Sequence, residues 1–229
     1  METRSRRRSL WLPIAAAAIV LLVGGAVAGF LALRATEARH YQAAGEAYAA
    51  GEWDRALNAY SAALSVYPPF VRQHTTLCYA NRGASFFHLG QYERAVADLD
   101  LALSRQADLA PALAYRGVAR LLTGDAQAAR EDLDLALDLD PGQGLASAGR
   151  AWMCRETGDA AAALADAEDA VVRAGQLPAG FLAPAYALKA EAALSDGDMD
   201  GALGAADAAL AEPERAGLAQ SADRALAHT

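Results

Sequence analysis

Three arginines and three aspartates recur in this chain at a fixed offset: Arg82 with Asp98, Arg116 with Asp132, and Arg150 with Asp166, each pair sixteen residues apart. Successive sets are 34 residues apart. A guanidinium and a carboxylate can form a bidentate ion pair, and the same groups can orient an anion or move a proton. The spacing favours the first role. If the intervening residues form the helix–turn–helix unit that the repeat pattern below implies, each Arg lies on its first helix and its Asp on the second, and the two can meet across the hairpin. Duplication of the pair argues for a structural part, and we expect helix-to-helix ion pairs rather than a catalytic constellation. Exposed, such a pair contributes about 0–1 kcal/mol; breaking a buried one costs several.

The other reactive residues assemble into no motif. Cys78 and Cys154 are too few for a disulfide framework, and a whole repeat separates them, so they read as small core residues. His40, His74, His88 and His228 lack metal-ligand spacing. There is no phosphate-binding glycine loop, no G-x-S-x-G and no H-E-x-x-H. The sequence therefore leads us to expect no metal, no cofactor and no enzyme activity.

Composition points to helices: 54% of residues are hydrophobic, only 7% aromatic, with 8 prolines and abundant alanine. The formal net charge is −8, but it is unevenly placed. Residues 1–34 hold Arg4, Arg6, Arg7, Arg8 and Arg34 against Glu2. Removing these from the totals of 20 and 28 leaves 15 basic and 27 acidic residues in 35–229, a net of −12. So acidic a body is a poor match to nucleic acid.

Residues 10–33 are an uncharged apolar run of 24 residues, about 36 Å long as a helix and sufficient to cross a bilayer. Residues 1–9 before it carry four arginines; behind it only Arg34 and Arg39 lie close. That asymmetry predicts a single-pass protein with a cytoplasmic N-terminus and the remainder on the extracytoplasmic side. The rival is a signal peptide cleaved after Ala-Val-Ala at 26–28, which would release a soluble secreted protein. The run continues through Leu33, longer than a usual signal core, so an uncleaved anchor is preferred. Gly25 and Gly29 form a GxxxG pair, which leaves a homodimer or a self-associating structural membrane protein open.

The six letters DLDLAL stand at 98–103 and again at 132–137. Alone, their alternation reads as a strand. The longer frame overrides this: 22-residue blocks starting at Ala43, Arg82, Arg116, Arg150 and Lys189 share one pattern. Each has a turn glycine (Gly51, Gly90, Gly124, Gly158, Gly197), an alanine five later (Ala56, Ala95, Ala129, Ala163, Ala202) and another seven beyond (Ala63, Ala102, Ala136, Ala170, Ala209). Pro68 and Pro141 close two of the units. In a helix Leu99, Ala102 and Leu103 share the face of Ala95, while Asp100 and Asp134 read as plain surface.

This pattern resembles the tetratricopeptide repeat (TPR) family, over about residues 37–216. The resemblance implies an all-α, right-handed superhelical solenoid of about five helix–turn–helix units, at 37–70, 76–109, 110–143, 144–177 and 183–216. A short linker, 34–36, would join it to the transmembrane helix, and residues 217–229 could form a capping helix. The junctions 67–75 and 175–184, with Phe70 and Phe181, read as longer loops or contact points.

In this family the first helices line a concave face that holds partner segments. Carried to this chain, the inward positions give Tyr41, Tyr48, Asn81, Phe87, His88, Tyr115, Leu121, Leu122, Trp152, Arg155, Leu188 and Leu194, with Glu156 and Glu191 beside them. The Lys/Asn set that clamps carboxylates in some relatives is missing here. The expected partner is therefore an apolar or amphipathic protein or peptide segment. The implied function is a membrane-anchored interaction scaffold, and Ala/Arg/Gly-rich usage suggests a bacterial inner or plasma membrane.

Overall fold

The computed structural model describes residues 3–66, 69, 72–157, 160–173 and 183–216, with side chains for 16–66, 69, 72–154, 161–173, 183–195 and 197–210. All the regular structure among them is helical. The chain divides into two compact units, residues 1–78 and 79–229.

The first unit holds α1 (Thr3–Ala49), α2 (Trp53–Ser65) and the start of α3 (Thr75–His88). α1 is one uninterrupted helix of 47 residues, about 70 Å long. Arg34, Ala35 and Thr36, expected as a linker, are helical. They include no glycine or proline, and extending a helix costs less than nucleating a new one. Within 16–33 the side chains point outward, with Ile19, Val20, Leu21, Leu22, Val27 and Leu31 exposed. By length and composition α1 could cross a membrane, a test that a signal sequence also passes. A side chain built on Gly25 or Gly29 would meet nothing within 4 Å. From Glu37 the helix becomes one-sided: Glu37, Ala44 and Ala47 are buried, and α2 packs along it through Ala56, Tyr60 and Ala63.

The second unit continues with the rest of α3, then α4 (Tyr92–Leu103), α5 (Ala110–Leu122), α6 (Ala126–Leu139), α7 (Gly144–Thr157), α8 (Ala160–Val172), α9 (Ala183–Asp196) and α10 (Met199–Ala216). Helices pair in sequence order, α5 with α6, α7 with α8 and α9 with α10; α5 also packs on α7, and α7 on α9. That is the neighbour-on-neighbour stacking of a repeat array. DLDLAL lies inside α4 and α6. Leu99, Ala102, Leu133 and Ala136 have no exposed surface, while Leu101 and Leu135 are 45% and 44% exposed. The apparent strand alternation is a helix with one buried stripe.

The turn glycines are needed for their backbone. Gly51, Gly90, Gly124 and Gly197 have φ of +72°, +70°, +93° and +79°. After each, the next residue's N–H reaches back five residues to close the helix: Glu52 to Ala47, Gln91 to Phe86, Asp125 to Arg120 and Asp198 to Ala193, at 2.8–2.9 Å. Gly158, Pro68, Phe70, Phe181 and the proposed cap 217–229 lie outside the described residues.

At the helix crossings, residue size is traded between partners. A Cβ on Gly83 would sit 2.8 Å from Leu99 Cγ, and one on Gly117 2.8 Å from Leu133 Cγ. One repeat on, Ala151 and Ala167 occupy the equivalent positions and share a single buried cluster. A glycine on the first helix accepts a leucine from the second; where the first-helix residue is alanine, its partner is alanine too.

Candidate functional site

Two sets of side chains stand out, an ion-pair ladder and a partly exposed aromatic strip. The ladder begins with Arg82, whose Nε and Nη2 donate to Asp98 Oδ2 and Oδ1 at 2.6 and 2.8 Å. Arg116 does the same to Asp132 at 2.9 and 2.6 Å. Arg150 does so to Asp166 at 2.7 and 2.7 Å. The three aspartates are buried. Each is held by a planar fork on the facing helix, the geometry in which Arg exceeds Lys.

The second aspartates are half-exposed surface residues, as expected, but each also accepts a bond from an arginine. Arg116 Nη1 donates to Asp100 at 2.7 Å, and Arg150 Nη1 to Asp134 at 3.4 Å. One Arg therefore holds its own repeat's Asp and the preceding repeat's second Asp. Arg120 joins the same node, donating to Asp132 at 2.8 Å and Asp100 at 3.4 Å. Burial works against the charge on Arg116, yet the bonds to Asp132 and Asp100 outweigh it and raise its pKa. Every ladder carboxylate accepts at least one guanidinium hydrogen bond, and the bonds from Arg116 to Asp100 and from Arg150 to Asp134 make the set a tie between repeats.

The candidate groove residues divide by burial. Phe87 and Leu188 are 2% and 6% exposed and belong to the core rather than to an open lining. Phe87 stacks edge-on against Tyr92 and Tyr115, at centroid distances of 5.5 and 5.2 Å, so the inter-repeat contact consumes it. Next to it His88 stays partly open and its Nε2 lies 3.2 Å from Tyr115 Oη. Burial disfavours the imidazolium and lowers the His88 pKa to about 4, so the ring is neutral at physiological pH. Tyr115, Leu121, Leu122 and Trp152 are half-buried, and Leu194 is 55% exposed. Asn81 is half-buried, and its backbone carbonyl accepts from the Ser85 hydroxyl at 2.8 Å. The side chains of Arg155 and Glu156 lie outside the described residues.

In the first unit, Tyr48 packs edge-on against Trp53 at 5.2 Å. Tyr41 stacks on His74 at 4.2 Å with the rings 5° from parallel. Burial, then nearby Cys78 and Glu37, raises the Tyr41 pKa. Both tyrosines thus spend at least one ring face on packing within the unit. Beneath them is a residue that sequence reasoning passed over. Glu37 has no exposed surface, and its Oε1 accepts from the His74 backbone N–H at 3.1 Å. Its Oε2 lies 3.1 Å from His74 Nδ1. A carboxylate on α1 thereby holds the start of α3.

No family model and no curated protein matches this chain by sequence. Solved structures do match its fold. It is similar to TTC0263, a thermophilic TPR protein of Thermus thermophilus, at TM-score 0.56 and 19% identity, covering 77% of this chain and 91% of that one. It is also similar to MamA from Desulfovibrio magneticus RS-1, residue 41 to its end, at TM-score 0.53 and 13% identity, covering 79% and 96%. A second MamA structure gives 0.52 and 20%, covering 79% and 93%. With the hairpins, turn glycines and stacking above, these likenesses define the class: the chain has the fold of a TPR protein.

Proposed function

We propose that the chain is a membrane-anchored protein-interaction scaffold with no enzymatic activity. Residues 10–33 span the bilayer, residues 1–9 stay in the cytoplasm, and the repeats at 37–216 stand on the extracytoplasmic side of a bacterial membrane. The observation that carries this reading is the continuity of α1: the apolar segment runs as one helix into the first hairpin. A partner polypeptide with an apolar or amphipathic face packs against the partly exposed strip on the first helices, where His88, Tyr115, Leu121, Leu122 and Trp152 combine ring surface with few charges.

A photo-crosslinking amino acid in place of Trp152 in the membrane-embedded chain tests it. Polypeptide adducts are expected, and they should disappear when Leu121 and Leu122 are changed to Ser while persisting in Arg55→Ala. Adducts unaffected by the serine changes, or none at all, would contradict the proposed strip.

A further inference from the structure

The first unit is electrically lopsided along α1. Just beyond the apolar segment lie Arg34, Arg39 and His40, and the chain returning from α2 adds Arg72 and His74. The acids Glu46, Glu52 and Asp54 lie at the other end, around the turn between α1 and α2. There Glu52 is already paired with Arg55 at 2.8 Å. The single acid at the basic end is Glu37, which is buried against His74. This reverses the character of a body that carries a net charge of −12 over 35–229.

Height above the apolar segment follows from observed bonds. Glu37 lies four residues past Leu33, about 6 Å along the helix. Its bond to the His74 N–H brings the returning chain to that level. Arg72, two residues earlier, is within about 7 Å of it. A guanidinium nitrogen of Arg72 donates to the Leu64 carbonyl, which fixes it against the end of α2.

The α1 arginines also lean the right way. Side chains on a helix tilt toward its N-terminus, here toward the apolar segment. Arg34 Cζ lies 5.5 Å from the Phe30 ring centroid, one turn back. Arg39 reaches back as well, Nε donating to the Ala35 carbonyl at 3.3 Å and Nη2 to Thr36 Oγ1 at 3.1 Å. None of the three arginines has a carboxylate partner among the described residues.

We propose that Arg34, Arg39 and Arg72 form a basic collar that docks the first repeat on the phosphates of anionic lipids. The proposal rests on the anchor reading above. The apolar helix supplies membrane attachment; the collar sets the orientation of the first hairpin on the surface and makes it sensitive to lipid charge.

The test compares the full chain in nanodiscs of phosphatidylcholine alone and of an equal mixture with phosphatidylglycerol, read by amide hydrogen exchange over residues 72–78. Exchange is expected to be about fivefold slower in the anionic discs, the ratio corresponding to roughly 1 kcal/mol from an arginine–phosphate contact. High salt should erase the difference. So should the double change Arg39→Gln and Arg72→Gln, whereas Arg39→Lys with Arg72→Lys should keep most of it. Equal exchange of the unmodified chain in the two lipids would overturn the proposal, as would a difference that survives the glutamine changes. Failure of the chain to enter either disc would instead overturn the anchor reading.

Discussion

Replacing Asp132 with alanine is expected to lower the stability of the second unit by about 3–5 kcal/mol. Asp132 has a side chain 5% exposed and takes three guanidinium bonds, two from Arg116 and one from Arg120. Its removal leaves two partly buried cations sharing Asp100, which is bonded at 2.7 Å by one and 3.4 Å by the other. The penalty is the cost of cations left in a low-dielectric setting, and it exceeds the modest net worth of the pair itself. Asp138→Ala is the control, since Asp138 lies exposed on the same helix and such surface changes usually stay within about 0.5 kcal/mol. Urea unfolding of the detergent-solubilised full chain, followed by far-UV circular dichroism, gives both values. A loss below about 1 kcal/mol for Asp132→Ala would place the ladder among ordinary surface ion pairs.

The second large effect is at the crossing of α5 and α6. Leu133→Ala should cost about 2–5 kcal/mol, because Leu133 is fully buried and its neighbours close only partly over the gap. Gly117→Ala alone forces a Cβ to 2.8 Å from Leu133 Cγ and should cost about 1–3 kcal/mol, less any gain in helix propensity. The double variant is the informative one. The new Cβ enters the space that Leu133 vacates, so the combined loss should fall short of the sum by about 1 kcal/mol or more. The Ala151 and Ala167 pair already shows such an arrangement one repeat later. Losses that add to within about 0.5 kcal/mol would mean that the two positions do not share one volume.

The crossing also shows what could be read from sequence and what could not. A 34-residue period is visible in one chain because each unit repeats the same helix pair, and it was enough to outvote the strand-like alternation of DLDLAL. The offset of sixteen between Arg and Asp was equally legible. Asp100 stands sixteen residues before Arg116, so the same offset read forward also reaches it. The exchange of Gly83 and Leu99 for Ala151 and Ala167 was also in the sequence, but it emerges only when positions are compared in pairs. Glu37 was beyond that logic. Its counterparts Thr76, Ala110, Gly144 and Ala183 share none of its chemistry, so no period points to it. Its partner His74 comes from an irregular junction. The candidate groove was legible as a helix face but not as a surface. Phe87 and His88 are adjacent in sequence, yet Tyr92 and Tyr115 both pack on Phe87 and bury it while His88 stays partly open.

The most direct test of the central claim, a repeat array held at the membrane by its own first helix, is alkaline carbonate extraction of membranes carrying the full chain, with intact-mass and N-terminal analysis of the recovered protein. The account predicts that the protein stays in the pellet with residues 1–28 still attached. A carbonate-soluble protein whose N-terminus lies near Gly29 would contradict it and make α1 a cleaved leader followed by a free repeat domain.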